Sequence, residues 1–119
     1  MDGLDAYRHN AIETRTPGQL IVLLYDGAIK FLRKAVEELE ARRYVEKGKC
    51  INRAVDIIRE LNVCLDMDAG GEVAQNLAGL YNFIVRHLGQ ANVKRDPEMV
   101  REVIKLLEEL NEGWKAIAT

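Results

Sequence analysis

The sequence predicts an all-α protein, an antiparallel up-down four-helix bundle preceded by a short leader segment. Three observations carry this prediction. Apolar residues recur at helical spacing through four stretches, no stretch shows the strict alternation of a half-buried strand, and the three connections are short enough to favour antiparallel neighbours. The 119 residues form one domain, with 1–15 as leader and 16–119 as bundle.

Pro17 and Pro97 are the two prolines, and each follows a residue suited to capping, Thr16 and Asp96. Both read as first-turn helix positions. Gln19 can complete a capping box with Thr16, so the first helix is expected from about Pro17 to Arg42. A second periodic stretch runs from about Val45 to Asp66 and stops at an Asp68-Ala69-Gly70-Gly71 loop. Glu72 opens the third, which carries Val73, Leu77, Leu80, Tyr81, Ile84, Leu88 and Ala91 on one side, and Asn92 to Asp96 form the next connection. The fourth runs from Pro97 to near Ala118. The leader, with Tyr7 and Ile12 among polar residues, forms no long helix.

Composition excludes several functions. Seventeen basic residues against 19 acidic ones leave a net charge of −2, without the basic excess of a phosphate-tracking nucleic-acid binder. Serine is absent, which removes serine-hydrolase arrangements. His9 and His87 have no Glu three residues before them, so the ligand pairs of di-iron bundles are missing and no metal or other cofactor is expected. Asp66-Met67-Asp68 followed by Gly70-Gly71 fails as a calcium loop, because Leu77 stands where a bidentate carboxylate is required. Gly70-Gly71-Glu72 lacks the Lys of a phosphate loop. No catalytic residues emerge, and the chain reads as a non-enzyme. Cys50 and Cys64 lie about 21 Å apart along one helix, too far to bridge, and read as reduced core residues of a cytoplasmic protein. No basic region followed by an apolar stretch marks an export signal, and no apolar run is long enough for membrane insertion.

At 100° per residue the apolar residues of the first helix, from Leu20 to Leu39, cover an arc of about 200°, against about 180° on the second helix and about 160° on the others. A bundle helix needs about 100 to 140° to meet its neighbours. The excess has two readings: the first helix is the most central one, or it offers apolar surface to a partner. Gly27, inside that helix, is either a site of close backbone approach or a tolerated solvent-side residue. Trp114 falls within the apolar arc of the fourth helix and reads as core packing.

The leader Tyr7-x-x-Asn10-x-Ile12-x-Thr14-x-x-Pro17 leads into Leu20-Ile21 and then Leu24-Tyr25-Asp26-Gly27-Ala28-Ile29-x-Phe31-Leu32. Later come Leu65-Asp66, Gly70-Gly71-Glu72-Val73-Ala74-x-Asn76-Leu77-x-x-Leu80-Tyr81, Ala91-Asn92 and Leu110-x-x-x-Trp114. This ordered set, spanning nearly the whole chain, closely resembles the FliS family of flagellin export chaperones. Val73 stands where that family more often has Ile, and Asn82 where an acidic residue is common. The resemblance implies a cytoplasmic chaperone that binds the disordered C-terminal segment of flagellin, prevents premature polymerisation and delivers subunits to the flagellar export apparatus. Its implied partners are flagellin, that apparatus and other flagellar regulators, without nucleic acid or membrane insertion.

On this reading Ile21, Leu24, Tyr25, Ala28, Phe31 and Leu32 form or border the flagellin groove, while Tyr7 and Ile12 cover apolar surface when the groove is empty. The alternative is a structural homo-oligomer whose surplus apolar arc pairs with itself, which sedimentation of the isolated chain distinguishes.

Overall fold

The computed structural model describes residues 16–118. Four helices follow one another: α1 Pro17–Glu40, α2 Tyr44–Val63, α3 Met67–Lys94 and α4 Pro97–Ile117. Among the described residues no strand occurs.

Each start has a local cause. At α1 the capping box forms as expected: the Gln19 N–H donates to Thr16 Oγ1 at 3.2 Å, and the Thr16 N–H donates to Gln19 Oε1 at 3.0 Å. At α4, Asp96 Oδ1 accepts the Glu98 N–H at 2.9 Å ahead of Pro97. The expected loop at Asp68 to Gly71 needs correction. Asp66 leaves α2 as an extended residue and caps α3, its Oδ1 accepting from the N–H groups of Asp68 at 3.2 Å and Ala69 at 2.9 Å. One helical turn therefore precedes Gly71, which alone breaks the helix with φ 52° and ψ −129°. α2 accordingly ends at Val63, three residues before the expected Asp66.

The other connections are also tighter than expected. α1 stops at Glu40 instead of Arg42, because Arg42 takes a left-handed φ of 60° to turn the chain. α3 runs on to Lys94 through the expected Asn92 connection, and Arg95, with φ 55°, ends it.

Gly71 is the position where the backbone demands glycine, since a side chain at that φ and ψ is strained even though nothing would touch its Cβ. Gly71→Ala is expected to cost on the order of 1–3 kcal/mol, read as a lowered denaturation midpoint. Gly79→Ala, in ordinary helical backbone with open space at its Cβ, is expected to stabilise by up to about 1 kcal/mol. Equal midpoints for the two variants would remove the strain argument.

The helices form a ring in which α1 packs against α2 and α4, and α3 packs against the same two. α1 makes the most extensive contact and the α3–α4 pair the least. The first of the two readings of α1's wide arc therefore accounts for much of it, since α1 is buried on two flanks. The core runs through the ring as Leu24, Leu32, Ile51, Ile58, Ile84, Leu88, Val100 and Leu107, all at most 1% exposed. Gly27 is also buried, which excludes the solvent-side reading. Cys50 is in the core, but Cys64 is exposed at the end of α2, against the expectation that both pack inside.

Candidate interaction surface

The diagonal between α1 and α3 is spanned by a polar contact inside the core. The hydroxyls of Tyr25 and Tyr81 meet at 2.6 Å, and both residues are at most 2% exposed. The Tyr25 ring also lies against Trp114 of α4, with centroids 6.4 Å apart. Trp114 thus packs as the sequence suggested, although it is only half-buried. Burial pushes both phenols above their ordinary value, so they stay protonated and act as hydrogen-bonding groups only.

The six residues expected to form or border a groove separate into two groups. Leu24, Tyr25, Ala28 and Leu32 have no exposed surface at all, so a ligand reaches them only if the bundle opens. Ile21 and Phe31 are half-buried and pack against the rim of the core. Tyr7 and Ile12 lie outside the described residues. The structure thus keeps the helix-1 residues together but places most of them in the interior, where α2 and α4 cover them.

A different surface carries uncovered apolar side chains. His87 of α3 meets Glu102 of α4 at 2.8 Å, which sets the register of this antiparallel pair. Stepping back along α3 and forward along α4 at equal rise places Phe83 level with Leu106, and brings Leu80 and Val73 to within one residue's rise of Leu110 and Ile117. Phe83, Val73 and Ile117 are 45%, 67% and 71% exposed. Leu77, Leu80, Leu106 and Leu110 are half-buried beneath them. The Phe83 ring stacks on His87 at 5.2 Å, fixing one end of the strip. Near the other end Gly113 has no neighbour within 4 Å of the position a Cβ would occupy. Open space at a mid-helix glycine lets another backbone approach closely.

The strip is apolar and elongated, which suits the apolar face of a partner helix and not a small polar ligand. Periodicity gives α3 and α4 the narrowest arcs, about 160° each. The missed signal was the pair of rows at matching register, Val73-Leu77-Leu80 on α3 and Leu106-Leu110-Ile117 on α4, neither of which is wide by itself.

The far end of the bundle is held by polar contacts. Lys47, 5% exposed, donates from Nζ to the Asn92 carbonyl oxygen at 3.0 Å and to Asn92 Oδ1, which ties the first turn of α2 to the last of α3. Burial, with the nearby Arg95 charge, lowers its pKa from the usual lysine value. Arg95 covers the Tyr44 ring at 3.8 Å. Arg43 makes a two-pronged contact with Glu38 and holds that carboxyl below its ordinary range.

Comparison with known proteins places these features in a family. The model of the family described as "Flagellar protein FliS" matches residues 1–119. The flagellar secretion chaperone FliS of Salmonella typhimurium (strain LT2) is 39% identical over 121 residues, covering 98% of this chain and 90% of that protein. That of Vibrio cholerae serotype O1 is 34% identical over 118 residues, covering 96% and 87%, and that of Bacillus subtilis (strain 168) is 34% identical over 110 residues, covering 92% and 81%. A solved structure described as a flagellar chaperone from bacteria superposes with a TM-score of 0.79 at 23% identity, over 95% of this chain and 92% of that one, and so shares the fold.

Proposed function

The chain belongs to the FliS family, and from that premise we propose that it is a flagellar secretion chaperone of the cytoplasm that binds the disordered C-terminal region of flagellin, blocks its premature polymerisation and hands it to the export apparatus. The observation that supports this most is the apolar strip between α3 and α4, left uncovered among the described residues in a chain otherwise rich in charge. A disordered segment loses about 1–2 kcal/mol of backbone entropy per ordered residue, so only a long apolar contact holds it with useful affinity and still permits release. The strip runs the length of several helical turns and meets that need.

Occupancy is the whole of the mechanism on this reading. The segment lies with its apolar face between the two rows, and residues engaged there are withheld from contacts between flagellin subunits. No bond is made or broken, and none of the described helices is long and apolar enough to cross a membrane.

Calorimetric titration with flagellin is expected to show saturable binding with a negative heat-capacity change from apolar burial. Flagellin lacking its C-terminal region is expected not to bind. Equal affinity for both forms would sink the proposal.

A further inference from the structure

The seam between α2 and α3 lies on the opposite flank of α3 from the apolar strip, and α3 brings no acidic residue to it. From Val73 to Arg95 the chain has no acidic residue, although it has 19 in all. Midway along this seam lies a pocket of about 240 Å³ whose rim carries Arg59 and Asn62 from α2 and Asn82 and Arg86 from α3. Ile58, Tyr81 and Val85 complete its lining, the first two of them buried. No carboxylate lines it. Among the described residues neither Arg59 nor Arg86 makes an ion pair.

The two amides bridge the seam, Asn62 Nδ2 donating to Asn82 Oδ1 at 3.3 Å. Each amide offers two donors and two acceptor positions, so this contact leaves donors on both sides unspent. Two guanidiniums and two amides around one small pocket form a set of N–H groups with a single missing complement, an anion with planar oxygens.

We propose that this pocket receives a carboxylate side chain, Asp or Glu, of a polypeptide segment lying along the α2–α3 seam. The inference rests on the reading of the chain as a polypeptide-binding chaperone and adds a second, polar anchor to the apolar strip. A side chain is favoured over a chain terminus because the seam continues past the pocket. Toward the Lys47–Asn92 contact it passes Gly48, whose nearest neighbour is Asn92 Oδ1 at 4.0 Å from a Cβ position, and Gly89, which has none within 4 Å. A bound segment therefore has room to run over the pocket and beyond it. Lys47, Lys94 and Arg95 extend the same sign of charge to that end.

The test uses the whole chain and two kinds of probe. N-acetylglutamate amide, blocked at both ends, is titrated while the side-chain amide resonances of Asn62 and Asn82 are followed by NMR. Saturable shifts are expected, absent with N-acetylglutamine amide and lost in the Arg59→Gln/Arg86→Gln double variant. Equal shifts from the two probes, or no shifts at all, overturn the proposal. N-acetylalanine carries only a terminal carboxylate, and stronger shifts from it would overturn the side-chain assignment in favour of a chain end. With flagellin as the second probe, the double variant is expected to bind about tenfold more weakly at low salt and with a flatter salt dependence. Unchanged affinity overturns the inference and leaves the proposed function standing. Failure of the unmodified chain to bind flagellin defeats that function, while the blocked amino acids still decide the pocket.

Discussion

Tyr25→Ala is expected to lower the unfolding free energy by about 3–5 kcal/mol, a large share of the 5–15 kcal/mol that holds most domains together. The residue is fully buried and joins three helices: it lies on α1, bonds Tyr81 of α3 and packs on Trp114 of α4. Truncation leaves a cavity at the middle of the ring and strands the Tyr81 hydroxyl.

The conservative variants separate these terms. Tyr25→Phe or Tyr81→Phe alone leaves one buried hydroxyl without its partner and is expected to cost about 1–3 kcal/mol, whereas the double Phe variant removes both and is expected to recover much of that loss. Additive single and double losses in urea titrations would show that the hydroxyl contact contributes nothing of its own. The same pair sets an alkaline limit. Both phenols are raised above the ordinary 10.0, so the unfolded chain ionises first, and their stabilisation is intact below pH 10 and lost as pH rises beyond it. The double Phe variant is expected to lose less stability between pH 9 and pH 11 than the unmodified chain, as about the same midpoint shift measured at each pH would refute.

The helices were legible in the sequence because their signals are local. Thr16 with Gln19, Pro17, Asp96 and Pro97 each act within one turn, and the structure keeps all four. Asp66 is as good a cap as Asp96, but the glycine pair at 70 and 71 masked it by suggesting a longer loop. The end of α3 carried no glycine or asparagine past its last residue. Arg95 takes the left-handed turn there, beside a last turn bonded by Lys47, a contact 45 residues away in the chain.

The interaction surface was less legible for a related reason. Periodicity gives the direction a side chain takes from its own helix axis, and leaves open which helix stands in that direction. Leu24, Ala28 and Leu32 share the arc that suggested a groove, but α2 and α4 occupy the space they point to. Val73, Phe83 and Ile117 have narrower company and remain exposed because α3 and α4 make the least contact in the ring.

Placing a charge on that strip is expected to abolish most of the flagellin affinity while leaving the fold in place. Val73 and Ile117 are exposed enough that Asp at either changes stability by about 0.5 kcal/mol or less, and Phe83→Asp, which gives up the stacking on His87, is expected to cost about 1 kcal/mol. In a complex the same carboxylate would lie under an apolar helix with no partner, and an unpaired buried charge costs several kcal/mol, so Phe83→Asp/Ile117→Asp is expected to weaken binding on the order of 100-fold or more. Val45→Asp is the matched control: Val45 is 70% exposed in the first turn of α2, outside both rows of the strip, and affinity there is expected to stay within about twofold. Gly113 gives the prediction a second, opposed sign. With nothing near its Cβ position, Gly113→Ala is expected to stabilise α4 by up to about 1 kcal/mol, yet to weaken binding because the added methyl keeps a partner backbone from approaching. A variant that gains stability and loses affinity identifies a residue retained for contact at the expense of the helix. If Gly113→Ala gains in both, or if the two Asp substitutions leave affinity unchanged, flagellin docks elsewhere and the α3–α4 strip is not its seat.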